Sequence, residues 1–259
     1  MKAETRRQEI MDVLMEMGNA SVDDLASRFA VSRMTVHRDL DELEQAGLLR
    51  KVRGGASIQS SSKFESDFRY RERLATEEKR RIAAAAAGYI EPGQTVIIDD
   101  GSTTGFIVEH LAERRPLTVI TNNLAVVAQL AGRQGIDLIA LGGLYNKKFH
   151  GFFGLVAEEA LRSLRADMAF LSTSAIHGTA AFHQDQEVVH SKRLMIEASG
   201  RCLLLVDHAK FGRSALHFLA DLSAFDTVLT GGGLAGEIAA PLRQASINLR
   251  IIGEDDARG

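Results

Sequence analysis

The sequence predicts an α/β protein in two parts: a small helical unit that ends in a β-hairpin, and a larger unit built on a mostly parallel sheet. Residues 1–57 carry apolar side chains at helical spacing, whereas in residues 76–259 short apolar runs alternate with helical stretches. Residues 58–75 are polar and of mixed charge, which is typical of a linker. These observations predict two domains and a linker.

The composition is that of an ordinary globular protein. The chain has 259 residues, of which 45% are hydrophobic and 25% charged. This excludes disordered and collagen-like classes, and it suffices for a full core without covalent cross-links. Cys202 is the only cysteine, which excludes an internal disulfide and a cysteine-based zinc finger. Because Cys202 lies in an apolar run, we predict that it is an inert core residue.

Charge and hydropathy predict a cytoplasmic protein. The first ten residues are charged and lack an apolar segment, so no signal peptide is expected. No apolar run approaches the ~20 residues that a membrane-spanning helix needs. The net charge is −3, so any binding of nucleic acid must depend on a local basic patch.

Three short helices and a hairpin are predicted in the small unit. The first helix has an apolar face that ends at Gly18. Ser21 and Ser32 are placed as N-caps of the second and third helices, and the third extends to Gly47. Residues 48–56 then form the hairpin, and no buried strand is expected before it.

The second and third helices match a helix-turn-helix, and the hairpin is placed as its wing. A recognition helix needs polar and basic side chains on its first turns for base edges, and a wing contacts phosphates. The candidate DNA-binding residues are Ser32, Arg33, Thr35, His37, Arg38, Arg50, Lys51 and Arg53. The alternative is a helical packing module with solvated charges. Acidic residues are also plentiful here, namely Asp39, Asp41, Glu42 and Glu44.

Seven apolar runs in the larger unit are predicted to be strands of a parallel sheet that helices cover on both faces. They are Thr95–Asp99, Leu117–Thr121, Asp137–Leu141, Met168–Ser172, Cys202–Asp207, Thr227–Thr230 and Leu249–Ile252. In such a sheet a ligand sits beyond the carboxyl ends of the strands. We therefore expect ligand-binding residues at these strand ends.

The first strand runs into a Gly-Ser-Thr-Thr turn, residues 101–104, and then into a helix. Backbone N–H groups at a helix N-terminus and small hydroxyl side chains suit a phosphate group. The turn has neither a Walker A nor a GxGxxG pattern, so a nucleotide is not indicated. The alternative is an ordinary strand-to-helix turn with Ser/Thr capping.

Other strand ends bring further polar groups to the same edge. Thr121 and Asn122 follow the second strand, and Gly142 and Gly143 follow the third. Lys210 follows the fifth strand and could pair with a phosphate, although a solvated loop lysine is the commoner case.

Residues 31–40 (VSRMTVHRDL) and 53–56 (RGGA) resemble the DeoR/GlpR family of bacterial transcriptional regulators, and the resemblance covers almost the whole chain. It implies a winged helix-turn-helix regulator, expected to repress a sugar catabolic operon. It also implies a sensor domain that binds a phosphorylated sugar or related metabolite and is related in fold to ribose-5-phosphate isomerase and glucosamine-6-phosphate deaminase. The implied effector-binding residues are Asp99, Gly101, Ser102, Thr103, Thr104, Thr121, Asn122, Gly142, Gly143 and Lys210.

Three positions depart from the family pattern. His37 stands where the family usually has an arginine, so base preference there does not carry over. Gly231 stands where the family often has an aspartate, and Val188 where it often has a carboxylate, with Glu187 one residue away. The last two departures could change which sugar is accepted.

An isomerase-like enzyme with an appended DNA-binding module is the main alternative. Such chemistry needs a base, and ribose-5-phosphate isomerases place a Gly-Ala-Asp-Glu segment after a central strand. Residues 171–175 occupy the comparable stretch here and contain no carboxylate. Four other polar residues could replace these carboxylates as an acid/base set or bind a metal. Their spacing fits no familiar metal or catalytic site, so neither a metal nor a cofactor is expected. That set is His183, Asp185, Glu187 and His190.

A further alternative is a regulator whose sensor domain is only an oligomerisation scaffold. In either regulator, one recognition helix buries too little surface for specific binding. We therefore expect a homo-oligomer, a dimer or tetramer, on double-stranded DNA.

Overall fold

The computed structural model describes residues 3–45, 48–57 and 68–253. The chain divides into two compact units, residues 1–74 and 75–259. Gly47 and most of the predicted linker, residues 58–67, lie outside the described residues. Within the described ranges, no helix is both long and apolar enough to cross a membrane.

The first unit has three helices around one apolar core. Its elements are α1 (Ala3–Met17), β1 (Asn19–Ser21), α2 (Val22–Phe29), α3 (Arg33–Gln45), β2 (Arg50–Val52), β3 (Gly55–Ser57) and α4 (Phe68–Arg73). The core includes the fully buried residues Ile10, Leu14, Leu25, Val36 and Leu40. The three predicted helices and the hairpin are present, and the short helix α4 lies at the end of the predicted linker.

The expectation that no strand precedes the hairpin is wrong. Strand β1 pairs antiparallel with β3, which also pairs with β2, so the wing is a three-stranded sheet of order β1-β3-β2. A Cβ atom at Gly55 would overlap the carbonyl oxygen of Ala20 and would lie 3.1 Å from its carbonyl carbon, so the pairing depends on this glycine. With three residues, β1 is too short to show the alternation that identifies a strand.

The second unit alternates strands and helices along the chain. Its helices are α5 (Thr76–Ala87), α6 (Leu124–Leu130), α7 (Leu155–Ser163), α8 (Gln186–Glu197) and α9 (Gly236–Gln244), with 3-10 helices at Thr104–Arg114, His208–Lys210 and Leu222–Ala224. Seven strands form the main sheet: β4 (Thr95–Ile98), β5 (Leu117–Thr121), β6 (Ile136–Ala140), β9 (Ala166–Leu171), β12 (Ser199–Leu205), β14 (Thr227–Gly231) and β15 (Leu249–Ile252).

The main sheet contains all seven predicted strands, and every pairing in it is parallel. Its order is β15-β14-β12-β9-β4-β5-β6. The chain therefore moves outward from β4 to β6 and then returns to β9 on the other side of β4. Ligands of open α/β sheets bind where the strand order reverses in this way, here at the carboxyl ends of β4 and β9.

Five shorter strands, which the sequence analysis did not identify, lie outside the main sheet. The hairpin β7 (Leu144–Asn146) and β8 (Gly151–Phe153) is one set, and β10 (Ala175–His177), β11 (Ala180–His183) and β13 (His217–Asp221) form an antiparallel sheet. Two apolar clusters cover the two faces of the main sheet, so it is the buried layer that the continuous apolar runs predict.

Candidate functional site

The turn between α2 and α3 has the geometry of a helix-turn-helix. Ser21 caps α2 by accepting the N–H of Asp24 at 3.0 Å, and Ser32 caps α3 by accepting the N–H of Thr35 at 3.2 Å. Ala30 closes α2 in the left-handed region with φ of +52°, which turns the chain toward α3. Both predicted N-caps are confirmed. The hydroxyls of Ser32 and Thr35 also lie 2.9 Å apart.

One face of α3 is exposed and carries no acidic side chain in its first two turns. Arg33, Met34, His37 and Arg38 are exposed there, and the opposite face is buried in the core of the unit. Arg33 Nε lies 2.5 Å from Asp23 Oδ1. Since both side chains are exposed, this ion pair is worth at most about 1 kcal/mol and a phosphate can replace it.

The acidic residues of α3 are held by partners within the unit. Asp39 is buried and accepts from Arg6, with Nε 2.5 Å from Oδ2. Asp41 pairs with Lys51, and Glu44 accepts the backbone N–H of Lys51 at 2.7 Å. Glu42 pairs with Arg7 on α1. The acidic residues therefore fix α3 to α1 and to the wing.

The wing has two exposed arginines and one lysine with an intramolecular partner. Arg50 and Arg53 are exposed, whereas Lys51 is partly buried against Asp41. Of the three predicted wing cations, Lys51 is therefore the least available to a phosphate, because its ion pair would first have to break.

In the second unit, Asp99 is the centre of the loop that follows β4. It is fully buried, and Oδ1 accepts from the N–H of Gly101 at 2.8 Å and the hydroxyl of Thr104 at 2.5 Å. Its Oδ2 accepts from the N–H of Ser172 at 2.6 Å and from the ammonium group of Lys192. Asp99 thus ties the loop after β4 to the end of β9. Gly101 fits because a Cβ there would lie 2.7 Å from Ser172 Cβ and Thr104 Oγ1.

Lys192 is a buried cation between two carboxylates. It projects from α8, contacts Asp99, and lies with Nζ 2.9 Å from Asp100 Oδ1. Burial by itself lowers the pKa of Lys192, but the charges of Asp100 and Asp99 outweigh that effect and hold the pKa above its ordinary value. Lys192 is therefore a charged structural group, since a nucleophilic amine needs a lowered pKa.

A second buried lysine, Lys79 on α5, reaches the Gly-Ser-Thr-Thr turn. Its Nζ lies 3.2 Å from the hydroxyl oxygen of Ser102, and only 2% of the residue is exposed. The backbone N–H groups of Ser102 and Thr103 donate to no acceptor among the described residues. Two amide donors, a hydroxyl and an ammonium group therefore occur together at this turn.

Three buried polar side chains at the carboxyl ends of the strands have atoms without a hydrogen-bond partner in the described part of the chain. They are both carboxylate oxygens of Asp100, Oδ1 of Asn122 and the hydroxyl of Thr230. The contact between Asp100 and Lys192 is a close ion pair without the geometry of a directional hydrogen bond. An unpaired buried polar group costs about 1–3 kcal/mol, so these atoms favour a bound polar ligand.

Other predicted effector residues have structural contacts at this edge. The hydroxyl of Thr121 donates to the carbonyl oxygen of Ile98 at 2.6 Å and accepts the N–H of Asn123 at 3.0 Å. It therefore joins the ends of β4 and β5. Gly142 and Gly143 are exposed, and Gly143 adopts φ of +122° beside Phe153.

Lys210 lies in the 3-10 turn after β12, two strand positions from β4 in the sheet order. It is partly exposed. The same turn is attached to α5 through Glu78, whose Oε1 accepts the backbone N–H of His208 at 2.8 Å and whose Oε2 lies 2.8 Å from His208 Nδ1. Glu78 thus positions the segment that carries Lys210.

Two of the family departures have a structural explanation. A Cβ atom at Gly231 would lie 2.5 Å from the carboxyl carbon of Glu78, so the side chain of Glu78 occupies the space of the missing aspartate. Val188 is fully buried in an apolar cluster with Phe149 and Phe153. The position where the family often has a carboxylate is therefore part of a core here.

The residues considered for a metal or catalytic set have separate local partners. Asp185 caps α8 by accepting the N–H groups of Glu187 and Val188, and His183 Nδ1 accepts the N–H of Asp185 at 3.2 Å. His190 lies 3.2 Å from Glu158. Among the described residues, no group of three or more His, Cys, Asp and Glu side chains could hold a metal ion.

Cys202 is buried within the main sheet, as predicted for an inert core residue. Burial, together with the nearby charge of Asp226, raises the pKa of its thiol to about 11. The thiol therefore stays protonated at neutral pH and is a poor nucleophile.

Sequence patterns did not predict the parts that Glu78, Lys79, Ser172 and Lys192 play at this site. For the two lysines a signal was present. Lys79 stands three residues before Ile82 on the buried face of α5, and Lys192 stands three residues before Met195 on the buried face of α8. A lysine in the apolar stripe of a helix needs a buried partner, and this pattern points to the site.

Comparison with known proteins agrees with this arrangement. Residues 6–62 match the family described as DeoR-like helix-turn-helix domain, and residues 74–232 match the DeoR C terminal sensor domain. A helix-turn-helix unit followed by an α/β sensor unit defines a DNA-binding transcriptional regulator. The chain belongs to the DeoR family of these regulators.

Its relatives include proteins described as transcriptional repressors and one described as an operon activator. The chain is 31% identical over 254 residues to a putative aga operon transcriptional repressor of Escherichia coli O157:H7, covering 96% of this chain and 94% of the relative. It is 33% identical to the glycerol-3-phosphate regulon repressor of Escherichia coli K12, covering 89% and 91%. It is 31% identical to the L-fucose operon activator of Haemophilus influenzae, covering 93% and 97%.

Among solved structures, ribose 5-phosphate isomerase A from Methanocaldococcus jannaschii aligns with a TM-score of 0.39 and 15% sequence identity. The alignment covers 52% of this chain and 54% of that chain.

Proposed function

We propose that this regulator is a cytoplasmic repressor of a sugar catabolic operon and that its sensor unit binds a phosphorylated sugar or related metabolite. The proposal rests on one observation above all. Buried polar atoms that make no hydrogen bond within the described part of the chain, on Asp100, Asn122 and Thr230, lie at the carboxyl edge of one parallel sheet, although Asp100 also forms an ion pair with Lys192. Hydroxyl groups of a sugar would supply the missing partners and offset the cost of burying these atoms.

We propose that the phosphate group of the effector binds at the turn after β4. The amides of Ser102 and Thr103 provide donors, and the ammonium group of Lys79 provides charge beside the Ser102 hydroxyl. The contacts described above, which shape this edge, are made by Asp99, Gly101, Thr104 and Thr121. The proposed pocket also includes Gly142, Gly143 and Lys210. Lys79 is added to the residues that the family resemblance implies.

We further propose that the sensor unit binds its effector without converting it. Both oxygens of Asp99 accept hydrogen bonds, which leaves this carboxylate poorly placed to act as a base. Asp100 is held in an ion pair with Lys192. An isomerase-like enzyme remains the competing function, because Asp100 is a buried carboxylate at the same edge.

Regulation would follow from linkage between the two ligands. The effector must bind the arrangement that is incompetent for DNA more tightly than the competent one. Since a single recognition helix gives little specificity, the protein acts on repeated half-sites as a homo-oligomer.

The proposal is tested with the purified full chain and a panel of sugar phosphates, each beside its unphosphorylated sugar. Thermal stabilisation by a phosphorylated compound, without turnover, is the expected result. Steady turnover that a pocket substitution abolishes would establish the enzyme instead. Stabilisation by no compound would favour the sensor unit as an oligomerisation scaffold.

The two lysines are then separated by substitution. Removing a charge-assisted contact of about 1.5–3 kcal/mol weakens binding roughly ten-fold to more than a hundred-fold. We expect Lys79→Ala and Lys210→Ala each to show this loss in calorimetry, with operator affinity nearly unchanged. Lys147→Ala, at an exposed lysine between β7 and β8, is the control. Unchanged effector affinity in either pocket variant would remove that lysine from the phosphate site.

A further inference from the structure

Met34 is exposed to solvent, unlike the other apolar residues of α3. Val36, Leu40 and Leu43 are buried in the core of the first unit, whereas Met34 is 72% exposed. It lies in the first turn of the recognition helix, the part whose side chains contact base edges in helix-turn-helix proteins.

The neighbours of Met34 are side chains suited to DNA. His37 and Arg38 stand three and four residues further along α3, so they share a helical face with Met34. Both are exposed. The exposed start of α3 therefore combines polar side chains with one long, flexible apolar side chain.

The major groove offers a particular partner for such a side chain. Base edges there present hydrogen-bond donors and acceptors and one apolar group, the C5-methyl of thymine. The thioether chain of methionine is flexible and polarizable, so it adapts to the position of a methyl group. We propose that Met34 is a specificity-determining residue that packs against the methyl group of a thymine in each half-site.

The test removes the methyl group without changing the hydrogen-bonding edge of the base. A preferred DNA site is first selected from a random library with the full-length wild-type protein. Each thymine of that site is then replaced by deoxyuridine, one symmetric pair at a time, and the dissociation constant is measured at fixed salt by fluorescence anisotropy. The same series is measured for Met34→Ala, Met34→Leu and Met17→Ala. Met17 is the matched control, because it is a 61% exposed methionine at the end of α1.

We expect one thymine position at which deoxyuridine weakens wild-type binding about four-fold per half-site, the loss that corresponds to one buried methyl group. Met34→Ala should bind the thymine and deoxyuridine sites equally well at that position. Met34→Leu and Met17→Ala should keep the wild-type ratio. Because Met34 is exposed, circular dichroism should show unchanged folding in all variants.

Three results would overturn the proposal. The first is that, at every thymine position, Met34→Ala shows the same loss of affinity on replacement by deoxyuridine as the wild-type protein. The second is a uniform loss of affinity in Met34→Ala at an unchanged ratio, which would place Met34 against the sugar-phosphate backbone. The third is a change in oligomeric state without a change in the ratio, which would place Met34 between copies of the chain.

Discussion

The two units of this protein use charged side chains in opposite ways. On α3 the cations Arg33 and Arg38 are exposed, and the acidic side chains of the helix are held by partners within the unit. At the carboxyl edge of the larger sheet, Asp99, Lys79 and Lys192 are buried. Exposed cations exchange water for a phosphate at little cost, whereas buried charges are stable only with a full set of partners. In the first unit, substitutions of exposed cations should therefore change DNA binding without changing stability. In the second unit, substitutions of the buried charges should change both effector binding and stability.

The largest expected effect is the loss of the buried cation at the sheet edge. Lys192→Met would leave Asp99 and Asp100 buried without their countercharge, so we expect the free energy of unfolding of the larger unit to fall by about 3–5 kcal/mol. Urea denaturation followed by circular dichroism measures this change. Lys147→Ala removes an exposed lysine and should change it by less than about 0.5 kcal/mol. Equal effects of the two substitutions would show that the buried ion pairs of Lys192 do not stabilise the larger unit.

A second substitution tests the tight packing of Glu78 over Gly231. Gly231→Ala should destabilise the larger unit by about 1–3 kcal/mol, because the added Cβ overlaps the Glu78 side chain. In the double variant with Glu78→Ala, the overlap is gone, so the two effects should be less than additive by at least about 0.5 kcal/mol. Gly236→Ala, where a Cβ meets nothing within 4 Å, is the control. Strict additivity would mean that Glu78 does not occupy this space.

In the first unit, Arg38→Ala should change DNA affinity without changing stability. If Arg38 makes a bidentate base contact, binding to a selected site weakens by about 1–3 kcal/mol in a gel-shift titration at fixed salt. The free energy of unfolding should stay within about 0.5 kcal/mol of wild type. Arg243→Ala, an exposed arginine of the other unit, serves as the control. Unchanged DNA binding would remove Arg38 from the interface.

The smallest expected effect distinguishes two cations of the wing. Arg53→Ala removes an exposed charge and should reduce the slope of log affinity against log salt by about 0.9, the value for one phosphate contact. Lys51→Ala should reduce the slope by less than half as much, because Asp41 already pairs with this lysine. Equal slopes for the two variants would show that the ion pair opens on DNA.

Much of the fold could be predicted because long elements leave a clear pattern. All seven strands of the main sheet were visible as continuous apolar runs, and Ser21 and Ser32 were recognisable caps. Strand β1 was missed because three residues are too few for a pattern. The short strands β7 and β10 were missed for the same reason.

The candidate site was predictable only in part, because sequence patterns show which residues follow a strand but not which distant side chains reach them. Asp99 and the turn after β4 were found from the strand end, whereas Lys79 and Lys192 arrive from helices α5 and α8. The packing of the Glu78 side chain against Gly231 is likewise visible only in three dimensions.

We propose that effector binding in the larger unit is coupled to DNA binding in the smaller unit. The most direct test measures the affinity of the stabilising sugar phosphate for the free protein and for the protein saturated with its selected DNA site. Linkage requires the ratio of these affinities to equal the factor by which saturating effector weakens DNA binding. We expect both factors to be equal and to lie between about 5 and 150, the usual range of allosteric coupling. Equal effector affinities with and without DNA would contradict it.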